Sequence, residues 1–168
     1  MVRLATFASA ITSQSNRSRH RCNNSHMEAI FGTSLEGKTG AVATSSVAEL
    51  EFVLVYFSAH WCPPCRGFTP HLTTFYNEIN ATRKQLEVIF VSYDRDDAGF
   101  REYYGEMPWI TVPFANKALR EALGKRYGVS GIPKLVLLKR DGSTALDNCR
   151  GDVESRGPAA LERWRAAL

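Results

Sequence analysis

Two cysteines three positions apart, Cys62 and Cys65 in the run Trp61-Cys62-Pro63-Pro64-Cys65-Arg66, are the residues of this chain best suited to chemistry. Such a pair can exchange electrons, one thiolate attacking a disulfide and the second sulfur resolving the mixed disulfide. It can also form half of a zinc site. Zinc needs further ligands, yet Cys22 and Cys149 stand alone and His20 and His26 lie near the N-terminus. Zinc knuckles also lean on backbone N–H donors to their sulfurs, and Pro63 and Pro64 supply none. The residues favour redox chemistry with no metal and no bound cofactor, because both electrons reside in the two sulfurs. Four cysteines, only two of them close together, are also unlike the dense set of a disulfide-stapled secreted domain, so a reducing compartment is expected.

Positioning the pair falls to the segments on either side. Val53 to Phe57 is an apolar run, and Phe68, Leu72, Phe75 and Ile79 repeat at helical spacing. Cys62 therefore falls at a strand-to-helix junction, where unpaired N–H groups and the helix dipole favour an anion. It is the predicted nucleophile, and its sulfur needs to be exposed. Cys65, one turn on, is the predicted resolving residue. Pro63 and Pro64 stiffen the loop between them.

Further apolar runs at Val88 to Val91 and Leu135 to Leu138 suit strands covered on both faces. The first two runs and the helix between them form a βαβ unit. Phe100, Tyr103, Tyr104 and Met107 predict a helix stopped by Pro108, and Leu119, Leu123 and Tyr127 another ending at Gly128. Asp141-Gly142 predicts a hairpin, and Pro158 opens a last helix with Leu161, Trp164 and Leu168 on one face. The fold class expected is α/β, a three-layer sandwich with a mixed central sheet and helices on both faces.

A chain of 168 residues buries one core, so one domain is expected over residues 27–168. Residues 1–26 lack Asp and Glu and are rich in Arg and Ser, the composition of a transit peptide. A disordered extension, or a start at Met27, explains them as well. The net charge of +4 rests on Arg3, Arg17, Arg19 and Arg21, and beyond Met27 acids and bases balance. That removes the support for a nucleic-acid partner. No stretch approaches the roughly twenty apolar residues of a membrane span, so no membrane partner is expected. The location expected is cytoplasmic, or mitochondrial if residues 1–26 act as a transit peptide.

Around the dithiol, several spaced motifs agree: Tyr56-Phe57-Ser58-Ala59 before it, Phe68-Thr69-Pro70 and Phe75-Tyr76 after it, then Met107-Pro108-Trp109, Pro113-Phe114, Tyr127-Gly128-Val129 and Gly131-Ile132-Pro133. Over about residues 50 to 140 the chain resembles the thioredoxin superfamily, in its nucleoredoxin and tryparedoxin branch. The resemblance implies a thioredoxin-like fold and a thiol-disulfide oxidoreductase that reduces protein disulfides. It implies a cis-proline at Pro133 facing the dithiol, with the Ile132 backbone open to an extended substrate, and a helix-kinking proline at Pro70. Substrate-binding roles fall to Trp61, Pro63, Pro64, Ile132 and Pro133, with Arg66 in support. The partners implied are disulfide-containing proteins, a low-molecular-weight thiol or a flavin reductase as electron donor, and a peroxiredoxin. The alternative is a redox-dependent binding and signalling module on the same fold.

Departures from the family pattern also speak. Tyr56 stands where thioredoxins bury an Asp, so a proton acceptor must come from elsewhere or from water. Arg95 replaces a carboxylate of tryparedoxins, and Lys134 follows Pro133 where Thr is common, which draws the resemblance toward nucleoredoxin. Trp61 suits the rim of the site, and Arg66 is either a support to the thiolate or a solvated helix residue. His60 reads as a tolerant loop position, and Arg150 resembles a substrate-contacting arginine. Tyr104, Trp109 and Phe114 read as core, and Cys149 as a small edge residue.

Overall fold

The computed structural model describes residues 26–168. The extension expected over residues 1–26, Cys22 included, lies outside them except for His26. The described elements are α1 (residues 26–31), β1 (Ser34–Gly37), β2 (Gly40–Ala43), α2 (Thr44–Ala48), β3 (Phe52–Ser58), α3 (Pro63–Asn80), β4 (Leu86–Ser92) and α4 (Asp97–Gly105). There follow β5 (Ile110–Thr111), α5 (Lys117–Arg126), β6 (Lys134–Leu138), β7 (Thr144–Leu146), α6 (Arg150–Arg156), a 3-10 turn (Gly157–Ala159) and α7 (Ala160–Ala167).

The strands form one mixed sheet in the order β2-β1-β5-β4-β3-β6-β7. At its centre β3 and β4 run parallel in unbroken register, from Phe52 opposite Leu86 to Ser58 opposite Ser92. Every residue of both strands is buried, as a central pair sandwiched between helices demands. Alternation divides β3 between two cores. Phe52, Leu54 and Tyr56 pack with Phe68, Leu72 and Phe75 of α3, Val153 of α6 and Trp164 of α7. Val53, Val55 and Phe57 pack on the other face with Phe31 of α1 and Leu123 of α5. Each such side chain stabilises the fold by roughly 1.5–3 kcal/mol on leaving water.

The turn after β6 places Gly142 at φ 77, where a left-handed backbone suits glycine, and Ser143 accepts from the Lys139 N–H to start the antiparallel return. Some boundaries differ from expectation. Met107 is buried but lies beyond α4, which closes at Gly105. Pro158 lies in the 3-10 turn, α7 begins at Ala160, and Leu168 is exposed rather than on the packed face. Helix α6 and the β1–β2 hairpin carry no apolar period to announce them. Only Val153 of α6 and Leu35 of the hairpin are buried hydrophobics.

Candidate active site

Strand β3 delivers the chain to the dithiol and α3 carries it away. Cys62 has extended backbone and caps α3, Pro63 and Pro64 fill the first helical positions, and the fixed φ of proline suits them. The next two N–H groups, those of Cys65 and Arg66, both donate to the Cys62 carbonyl. Pro70 inside the helix leaves its N–H position empty, a known source of kinks.

The sulfurs stand at different depths. Cys62 is 5% exposed, less than its expected role as an open nucleophile required, and Cys65 is 0% exposed. Ala59, Tyr93 and Ile132 pack around the pair. The Cys62 thiol donates to the Ile132 carbonyl across 3.8 Å, and the Ile132–Pro133 bond is cis, as the resemblance implied. Among the described residues both cysteines are free thiols. Burial pushes the Cys65 thiol up, as does its contact with Cys62, while the Ser58 hydroxyl and the Ala59 N–H favour its thiolate.

Four hydroxyls lie beneath Cys65 in a closed ring. Ser58 donates to Tyr56 (3.0 Å) and bonds Tyr103 (2.9 Å), Tyr56 bonds Thr69 (2.9 Å), and Thr69 bonds Tyr103. Thr69 and Tyr56 also donate to the Cys65 carbonyl, at 3.1 and 3.4 Å. Tyr56, where an Asp was the family expectation, thus belongs to an uncharged network. Burial raises its hydroxyl far above the ordinary phenol range, so it holds no charge near neutrality.

A second set of bonds fixes the loop before Cys62. Asp94 accepts from the His60 N–H (2.7 Å) and the Ser92 hydroxyl (2.8 Å), and the Trp61 indole N–H donates to the Tyr93 carbonyl (3.0 Å). The Tyr93 hydroxyl lies against Gly124 of α5, where a Cβ would collide with it. Next after Pro133, Lys134 donates to the carbonyls of Tyr127 and Gly128 and pairs with Asp147 at 2.8 Å. It ties the strand after Pro133 to the end of α5. Arg150 donates to the Pro133 carbonyl at 3.4 Å.

The structure brings Cys62, Cys65 and Ile132 together beside the cis bond to Pro133, and ties Trp61, 50% exposed, to Tyr93, which packs against the same pair. Pro63, Pro64 and Arg66 are exposed on the first turn of α3, and Arg66 has no ion pair among the described residues. Cys149 is fully buried in the core rather than at an edge. Tyr104 and Trp109 are buried and Phe114 packs against the same core. Sequence reasoning missed Asp94, Tyr93, Ser58, Thr69 and Tyr103. A signal was available: Ser58 and Ser92 are polar residues closing two apolar parallel strands, the end at which α/β sheets place their sites.

A family model described as thioredoxin-like matches residues 51–144, more than half of the chain. The chain belongs to the thioredoxin-like family. Among its thioredoxin-like relatives, nucleoredoxin from Danio rerio is 40% identical over 120 residues, covering 71% of this chain and 29% of that protein. Tryparedoxin from Trypanosoma brucei brucei is 44% identical over 109 residues, covering 65% and 74%. The solved structure of tryparedoxin II from C. fasciculata superposes with a TM-score of 0.72 at 36% identity, covering 80% of this chain and 90% of that one. The relatives are thus nucleoredoxins and tryparedoxins at similar identity, and the chain spans about three-tenths of the Danio rerio nucleoredoxin.

Proposed function

We propose that the chain reduces protein disulfides by dithiol exchange through Cys62 and Cys65. The observation that carries this reading is the placement of the two sulfurs. One sulfur contacts the Ile132 carbonyl beside Pro133, and the other is fully buried and packs against the same cluster. Cys62, as thiolate, attacks one sulfur of the substrate disulfide. A Cys62–substrate disulfide forms and the first substrate thiolate leaves. Cys65 then gives up its proton and attacks the Cys62 sulfur, closing a Cys62–Cys65 disulfide and releasing the second thiolate. Two electrons and two protons pass from the pair to the substrate. A low-molecular-weight thiol or a flavin reductase restores the dithiol, and a peroxiredoxin is a fitting acceptor.

The Ile132 backbone offers main-chain pairing to an extended substrate segment, and Trp61 offers a flat apolar rim. Reduction of insulin by the wild type and by Cys62→Ser tests the reading. Activity confined to the wild type supports it, and equal rates would overturn it.

A further inference from the structure

Beside the dithiol, past Trp61, lies a groove of about 600 Å³ lined by Ser92 to Arg95 on one side and by Phe114, Ala115, Lys117, Arg120 and Glu121 on the other. Its charges are not equally free. Asp94 accepts from His60 and Ser92, and Glu121 lies 3.8 Å from Lys117. Just outside, Asp96 caps α4 by accepting from Gly99, and Asp97 pairs with Arg101 at 2.8 Å. Every carboxylate near the groove thus has a local partner.

Neither arginine of the groove forms an ion pair among the described residues. Arg120 lies flat on Phe114, 4.2 Å from the ring centre, and donates to the carbonyls of Ser92 (2.8 Å) and Phe114 (3.1 Å). These contacts fix the plane of its guanidinium without an ion pair, while Asp94 and Glu121 lie near enough to act on its charge. Arg95 is exposed, with its guanidinium 5.3 Å from the Trp61 ring centre, and has no ion pair among the described residues. The ring that forms the rim of the dithiol therefore also carries a cation, and a second cation is fixed further along the same groove. A planar guanidinium set on an aromatic face is well suited to a carboxylate.

We infer that this groove receives an acidic side chain next to the reacting disulfide, so that the chain selects substrate segments with Asp or Glu beside the cysteine. The inference rests on the disulfide-exchange reading and names its substrate class. Three peptides test it, identical except for Asp, Ser or Lys flanking a cysteine that is disulfide-linked to a reporter thiol. Serine-for-cysteine versions of the same peptides, labelled for anisotropy, measure binding without chemistry.

Exposed ion pairs are each worth at most about fivefold in affinity. The wild type should therefore reduce and bind the Asp peptide about threefold to tenfold better than the Lys peptide. The ratio should shrink as salt rises, and Arg95→Glu should bring it to one or below. Equal binding of the Asp and Lys peptides by the wild type, or a ratio unmoved in Arg95→Glu, would overturn the inference. If no peptide is reduced, the exchange reading fails, and the binding ratio still decides the groove.

Discussion

The sulfur of Cys62 stands 3.8 Å from the carbonyl oxygen of Ile132, the residue joined to Pro133 by a cis bond, and keeps a small exposed surface. Cys65 has no exposed surface and is enclosed by Ala59, Tyr93 and Ile132 together with its partner. The pair is asymmetric by construction, and the consequences can be measured.

Alkylation should follow depth. Iodoacetamide added to the reduced native protein should label Cys62 first, with Cys65 and Cys149 reacting only after denaturation. Peptide mass mapping reads the order, and labelling of Cys65 ahead of Cys62 would contradict the geometry.

The resolving step should speed up with pH. Burial raises the Cys65 thiol, so near neutrality it is almost wholly protonated and its thiolate fraction grows about tenfold per pH unit. Release of a reporter thiol from a preformed Cys62 mixed disulfide should rise accordingly between pH 7 and 9. Ser58→Ala removes a donor to the Cys65 thiolate and should slow that release at every pH, while costing about 1 kcal/mol of stability. Stopped-flow fluorescence at several pH values checks both, and a flat profile would refute the first.

Asp94 should hold the loop that presents Cys62. Asp94→Ala strands the His60 N–H and the Ser92 hydroxyl and should destabilise the fold by about 1–3 kcal/mol in urea unfolding. Disulfide exchange should fall as well, because Trp61 and Cys62 follow His60 directly. An unchanged midpoint would show that the loop stands without the carboxylate.

Cys149 should make the fold sensitive to alkali. Burial pushes its thiol up to about 12 from an ordinary value near 9.0. The neutral thiol is the form that the folded state favours, so its contribution is complete below pH 9 and is lost as the pH climbs toward 12. At roughly 1.4 kcal/mol per pKa unit, the full loss is about 4 kcal/mol. Cys149→Ala should flatten the fall in melting temperature between pH 8 and 10.5 relative to the wild type. Parallel curves for the two proteins would exclude the effect.

The elements that position the dithiol were legible because they bury regular patterns. Val53 to Phe57, Val88 to Val91 and Leu135 to Leu138 are strands of the central sheet, and Phe68, Leu72, Phe75 and Ile79 share the buried side of α3. The hydroxyl ring was not legible, because Tyr56, Ser58, Thr69 and Tyr103 come from two helices and a strand and become neighbours only through tertiary packing. Asp94 was hidden for a related reason. Its acceptors serve a backbone N–H 34 positions away, a bond that leaves no mark in composition or period. Helix α6 was missed because its packing rests on polar contacts, with buried Asp152 accepting from the Trp164 indole at 3.0 Å and from Arg163 at 2.6 Å.

Gly124 and Tyr93 carry a consequence for how such a sequence can drift. With a tyrosine hydroxyl in the space that a methyl group at 124 would take, position 124 is not free to change alone. A lineage that acquires alanine at 124 must already have shortened or turned aside the side chain at 93, whose backbone carbonyl anchors the Trp61 indole. Alanine at 124 is therefore expected only alongside a changed residue at 93, which links the back of a helix to the loop before Cys62 through a residue that has no side chain at all.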